Sequence, residues 1–336
     1  KGRSDLTITL DEDITNLDEL VVTGVFDKRT KMESSVAIST LNNKQLAVLA
    51  PTSAADLLRN VPGVYVNNAR GEIANTVYSR GISANSIDNA AGYYYVSMQE
   101  DGLPLMNVNY GTDNYLRTDI STERLEAVRG GTASILGANA PGGIFNYVAK
   151  TGGRTFQGEI RAKYGLEGNG KNPFYRFDAN IGGPLSKDGT VTYNIGGFYR
   201  VSNGARYPGY PSNNGGQLKA NLLKNYASGS LKLFVKILDD RNAQAEFIPS
   251  QNWNNPQVLS GLSTTDSYNL PAFSMQIPIN NTGFATFNSK DKYYNRDKTF
   301  GVNWLQELGN GWTLKNDGKY SAKHMTGSAP AVVTPY

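Results

Sequence analysis

The sequence has no cysteine and a single histidine, His324, in 336 residues. No disulfide framework and no thiolate metal site can form. The single imidazole also removes most His-dependent catalysis and any two-His metal site, because those chemistries need several imidazoles at one point. Charge is scarce and balanced: 33 Lys+Arg against 29 Asp+Glu give a formal net of +4, and only 18% of residues are charged. The charges are interspersed and form no basic stripe, so nucleic acid is not an expected partner. No apolar run approaches the roughly 20 residues of a membrane-spanning helix. The opening Lys1-Gly2-Arg3-Ser4 lacks the apolar stretch of a signal peptide. The chain is therefore either soluble or enters a membrane as strands. It is not expected to be an enzyme, and no catalytic residue, cofactor or metal-ligand set is assigned.

What is abundant favours strands. The sequence carries 36 Gly, 20 Tyr and 12 Phe, which suit the tight turns and interfacial aromatics of a membrane barrel, although a secreted all-β carbohydrate binder shares this composition. Residues 1–16 hold a period-two stretch, Asp5 to Asp11, and read as the end of an upstream domain. Leu17-Asp18-Glu19-Leu20-Val21-Val22-Thr23-Gly24 is an acidic stretch followed by a β-branched run, too short to pair with itself. Residues 25–150 read as mixed α/β. A helix is expected over Pro51–Arg59, capped by Ser53 with Asp56 three positions on and stopped by Asn60-Val61-Pro62-Gly63. A strand follows at Val64–Val66. One helical turn is expected at Ser121–Arg124, extended chain at Leu125–Val128, a short helix at Thr132–Leu136 and a strand at Ile144–Val148.

From residue 151 the texture changes to repeated alternation. Ile160, Ala162, Tyr164 and Leu166 alternate with Glu159, Arg161, Lys163 and Gly165, and the pattern recurs around Tyr175, Val191, Leu218, Leu231, Phe300 and Trp312. That makes seven strands of roughly ten residues, near the length that crosses a bilayer at a tilt. Short turns near Gly189, Asn225 and Gly309 contrast with a long loop, residues 239–297, which holds Trp253, Tyr268, Phe273, Phe284, Phe287, Tyr293 and Tyr294. Short turns on one rim and long loops on the other match an outer-membrane barrel. A soluble sandwich is the alternative.

Several motifs resemble those of TonB-dependent outer-membrane receptors. Leu57-Leu58-Arg59-Asn60-Val61-Pro62-Gly63-Val64, Ser79-Arg80-Gly81-Ile82 and Glu100-Asp101-Gly102-Leu103-Pro104 occur in the family's order. Thr122-Glu123-Arg124-Leu125-Glu126-Ala127-Val128-Arg129-Gly130-Gly131 and Gly142-Gly143-Ile144-Phe145-Asn146 follow them. The resemblance implies a plug domain over residues 25–150 and, over 151–336, the N-terminal part of a membrane β-barrel that in this family has 22 strands. Seven strands cannot close, and at this spacing a closed barrel needs roughly 580 residues. Residues 17–24 resemble a TonB box of the Bacteroidetes type, with Asp18, Glu19, Leu20, Val21, Val22 and Thr23 expected to pair with TonB, itself energised by ExbB/ExbD. Exposed β-branched chain is suited to such strand addition. Ser97-Met98-Gln99 stands where the starch-utilisation-like subgroup carries a Val-Val or Val-Ile.

The resemblance implies TonB-dependent import of a nutrient ligand across the bacterial outer membrane. A receptor-shaped subunit without transport, serving an outer-membrane assembly, is the alternative. Plug residues Arg80, Glu126 and Arg129 are expected to contact the barrel wall. Tyr94, Asn107, Asn109, Tyr110, Asn114 and Tyr115 are candidate ligand contacts, with core packing as the competing reading for Tyr94. Outer-membrane lipid is an expected partner, as are a surface lipoprotein and a small-molecule, glycan, peptide or siderophore ligand. The composition of loop 239–297, poor in Arg clusters, points to a neutral or modestly polar ligand.

Overall fold

The computed structural model describes residues 20–21, 29–30, 37–49, 51, 53–73, 75–83, 95–106, 112–130, 140–246, 248–252, 254–281, 283–291 and 293–327. Strand β1 (Leu20–Val21) pairs antiparallel with β2 (Arg29–Thr30). β3 (Ala37–Asn42) leads into α1 (Asn43–Leu49), where Asn42 and Gln45 bond reciprocally to each other's amides at 2.9 and 3.1 Å. The helix expected over Pro51–Arg59 is a 3-10 segment, Ala55–Asn60, and the Ser53 hydroxyl accepts the Asp56 amide at 3.1 Å. Gly63, at φ +79°, turns the chain into β4 (Val64–Asn67), which pairs with β5 (Thr76–Ser79) and, through it, β6 (Ile82–Ser83).

β7 (Ser97–Glu100) and β8 (Leu103–Pro104) form a tight hairpin, followed by β9 (Thr122–Arg129) and β10 (Ile144–Ala149). The plug sheet has the order β3-β9-β10-β7-β8, with β10 parallel to β7 and the other pairs antiparallel. Of the helical turn expected at Ser121–Arg124, Ser121 is in a turn and Thr122–Arg124 are instead the start of β9. This strand lies between β3 and β10, where both edges of its backbone are hydrogen-bonded, and pairing on two sides outweighs a local turn preference. The helix expected at Thr132–Leu136 and the strand at Asp5–Asp11 lie outside the described residues. Leu57, Leu58, Val77, Met98, Leu125, Phe145 and Tyr147 form the plug core, joined by Leu238 from the wall.

The wall is a seven-stranded antiparallel sheet of β11 (Gln157–Glu167), β12 (Asn172–Pro184), β13 (Val191–Ser202), β14 (Asn213–Tyr226), β15 (Gly229–Asn242), β20 (Tyr293–Gly309) and β21 (Trp312–Gly327), in that order. Between β15 and β20 lie two short hairpins, β16 (Ser250–Gln251) with β17 (Gln257–Val258) and β18 (Ser274–Asn280) with β19 (Gly283–Asn288). The long connection is thus 243–292, with strand structure of its own. Alternation sorts each wall strand. In β13, Thr192, Asn194, Phe198, Arg200 and Ser202 are buried on one face, where Arg200 reaches Glu72 of the plug, while Ile195 and Tyr199 face away. Ile160 and Tyr320 are each 73% exposed, and Tyr164, Tyr175, Phe177, Leu233 and Phe300 join them in an outward apolar band. Tyr193, Leu231 and Val302, on the same alternating face, are half-buried.

Candidate functional site

Asp101 (φ +50°) and Gly102 (φ +82°) make the two-residue turn between β7 and β8. Only a residue tolerant of the left-handed region serves at each position. The turn is tied down by the Gly102 amide donating to Asn146 Oδ1 at 2.8 Å and the Ala149 amide donating to Asp101 Oδ1 at 2.9 Å. So fixed, the hairpin aims its carboxylates at the wall. Glu100 Oε1 and Oε2 accept from Lys219 Nζ and Lys236 Nζ, each at 2.6 Å, and Asp101 Oδ1 lies 3.0 Å from Lys232 Nζ. Lys219 and Lys236 stand directly opposite each other on β14 and β15. Burial works to raise the Glu100 pKa, but the two ammonium groups more than offset it and hold the carboxyl well below its ordinary value of 4.5. Lys236 also donates to the Tyr115 carbonyl at 2.8 Å.

A second buried cluster lies towards the rim of long loops. Arg200 bonds bidentately to Glu72 of the β4–β5 turn and to Asp240, at 2.7 and 2.9 Å for the latter. Arg117 Nε donates to Asp240 Oδ2 at 2.7 Å, Nη2 to Asn242 Oδ1 at 2.8 Å, and Nη1 to the carbonyls of Asp113 and Leu116. Plug and wall each supply one cation and one anion, so every desolvated charge has an opposite neighbour. The Ala245 amide donates to the Arg70 carbonyl at 3.0 Å, which ties the same plug turn to the 243–292 connection.

Beside this turn lies a cavity of about 470 Å³ bounded by the plug at Asn68–Glu72 and by Lys163, Phe174, Arg176 and Arg206 of the wall and its loops. Its size suits a small ligand. Arg176 is paired with Asp178 and Arg70 with Glu246. Arg206 donates through Nη2 to the Glu246 carbonyl at 2.7 Å, and its buried Nη1 has no partner among the described residues.

The sequence-derived candidates fall elsewhere. Of the TonB-box residues only Leu20 and Val21 are described, in β1; Asp18, Glu19, Val22 and Thr23 lie outside the described residues, as do Tyr94, Asn107, Asn109 and Tyr110. Asn114 and Tyr115 are buried, at 5% and 4% exposure, and do not line the cavity. Glu126 is buried against Arg124 at 2.7 Å, and Arg129 donates to Ser39 Oγ at 2.7 Å and to the Pro62 carbonyl, all within the plug. Arg80 is exposed in the left-handed turn after β5. Burial and the adjacent Arg80 charge lower the Arg129 pKa. Glu72, Glu100, Arg117, Arg200, Lys219 and Asp240, which dock the plug, were not singled out. No local signal marks them: the wall members stand among other polar residues of the buried face, and Glu72 and Arg117 lie outside any strand.

Residues 30–144 match the family model of the TonB-dependent Receptor Plug Domain. The chain is 27% identical over 164 residues to the ferripyoverdine receptor of Pseudomonas aeruginosa, covering 48% of this chain and 18% of that protein. It is 24% identical over 178 residues to the vitamin B12 transporter BtuB of Photobacterium profundum, covering 53% and 27% respectively. Among solved structures, the unliganded ferric citrate transporter FecA superposes with a TM-score of 0.65 at 15% identity, over 88% of this chain and 41% of that one. The ferric yersiniabactin uptake receptor FyuA of Yersinia pestis gives 0.62 at 18%, over 87% and 41%. The chain thus spans less than a third of these curated relatives and about two-fifths of these solved chains. The fold is that of a plug domain followed by part of a β-barrel wall.

Proposed function

We propose that this chain, a TonB-dependent receptor plug with the first strands of its barrel, belongs to an importer that carries a nutrient ligand across the bacterial outer membrane. The observation that carries the reading is a plug held to the inward face of a lipid-length wall by buried, reversible ion pairs. Such a plug blocks passage at rest and can be shifted without breaking a covalent bond. Ligand binds at the loop rim, where the 470 Å³ cavity lies. TonB engages residues 18–23, and the β1–β2 pairing must yield for the segment to add as a strand to TonB.

Arg80 and Arg129 are neighbours with no carboxylate partner among the described residues. They complete the docking through wall strands beyond these seven. The Bacteroidetes type of the box rests on residues 17–24 alone, since the relatives named above come from Pseudomonas, Photobacterium and Yersinia. A surface lipoprotein partner rests on the length of the 243–292 connection. Deleting residues 17–24 from the full-length protein tests the reading. The variant is expected to reach the outer membrane in normal amounts yet lose nutrient-dependent growth support. Growth equal to that of the intact gene would overturn the proposal.

A further inference from the structure

The wall opposite the β7–β8 hairpin carries a cluster of cations. Five lysines, Lys219, Lys232, Lys236, Lys319 and Lys323, project from β14, β15 and β21 towards the plug around Glu100 and Asp101. On the wall itself only Asp297 answers them at contact distance among the described residues, 2.5 Å from Lys323 and 3.9 Å from Lys236. Lys319 forms no ion pair among the described residues. Two further carboxylates, Glu100 and Asp101, belong to the plug, so three carboxylates face five lysines and the patch keeps an excess of positive charge even with the plug docked. The space left between the two surfaces is about 30 Å³, room for a water and not for a ligand.

We propose that this lysine patch is a translocation subsite for anionic cargo, and that Glu100 and Asp101 occupy it at rest as stand-ins for the cargo's own carboxylates. The inference rests on the import reading and adds a class of ligand to it. When the hairpin withdraws, five ammonium groups face the opened path. A wall bearing fixed charge of one sign draws counter-ions and rejects co-ions. An anion entering behind the hairpin replaces the departing carboxylates, whereas a neutral solute brings no charge in their place and leaves Asp297 alone to answer the five lysines. The plug therefore moves at lower cost when the passing ligand is anionic. This reverses the neutral ligand suggested by loop composition, because the cations lie on strands, outside the loop from which that suggestion came.

The test is ion selectivity of the full-length protein in planar bilayers, with the plug displaced by urea. A salt gradient gives the chloride-over-potassium permeability ratio from the reversal potential. The wild-type pore is expected to prefer chloride, and Lys319→Gln with Lys323→Gln should lower the ratio by roughly twofold or more. Lys319→Arg should keep it. Glu100→Gln, which leaves every wall lysine in place, should open at less urea with the same selectivity. Heat-modifiable migration on gels checks that each variant folds. A pore whose selectivity is indifferent to the lysine substitutions overturns this inference alone. A full-length protein that forms no pore at all overturns the import reading, and this inference with it.

Discussion

Each docking charge is buried in a setting where losing one partner matters more than the worth of the pair. Arg200 is fully buried between Glu72 and Asp240. Arg200→Met should leave the two carboxylates to share Arg117 and destabilise the docked plug by about 3–5 kcal/mol. Replacing Glu72, Arg200 and Asp240 together by apolar residues of similar volume should be milder. Denaturant titration of the full-length protein in detergent distinguishes the two outcomes. Glu100 supplies a pH dependence with a defined sign. Its folded pKa lies below its ordinary value of 4.5, so its contribution is complete above about pH 4.5 and is lost as the pH falls from there towards the depressed value. Protease sensitivity of the β7–β8 hairpin should rise on acidification below pH 4.5, and Glu100→Gln should flatten that rise. Superimposable profiles would contradict the assignment.

At the scale of the element, alternation decides both what was legible and what a substitution does. Leu233 faces outward in mid-strand, and Leu233→Arg should cost about 2–4 kcal/mol in lipid. The same residue introduced at half-buried Asn303, opposite Lys232 on the inward face, should cost well under half of that, as urea unfolding in lipid vesicles can measure. The seven wall strands were readable because a strand with one lipid face and one polar face must alternate over its whole length. The plug was less readable. Seven-residue α1 buries only Leu46 and leaves no helical stripe, and Ser121–Arg124 carries turn-forming residues that a central strand overrides. The docking pairs were not legible at all, since Arg117 meets Asp240 across 123 positions and nothing local marks either residue. Motif resemblance located the hairpin that carries Glu100, but not the lysines it faces.

For the whole molecule the governing fact is closure. β11 bonds to β12 on one side and β21 to β20 on one side, and each has a second edge without a partner among the described residues. At membrane depth each unpaired backbone N–H or C=O costs several kcal/mol, and an open seven-stranded sheet presents two such rows, so it has no stable place in lipid. The plug does not remedy this, because its contacts are with the inward face and not with the edges. A polypeptide of these 336 residues alone, refolded into detergent or vesicles, is therefore expected to yield no heat-modifiable, protease-resistant species. Strands that pair with both β11 and β21 should produce one when supplied in the same polypeptide. Cold gel electrophoresis with and without boiling reads this directly. A resistant band from the 336 residues alone would mean that the edges find each other or a second copy. The barrel would then close by association between chains, and the inward lysines would line a shared path.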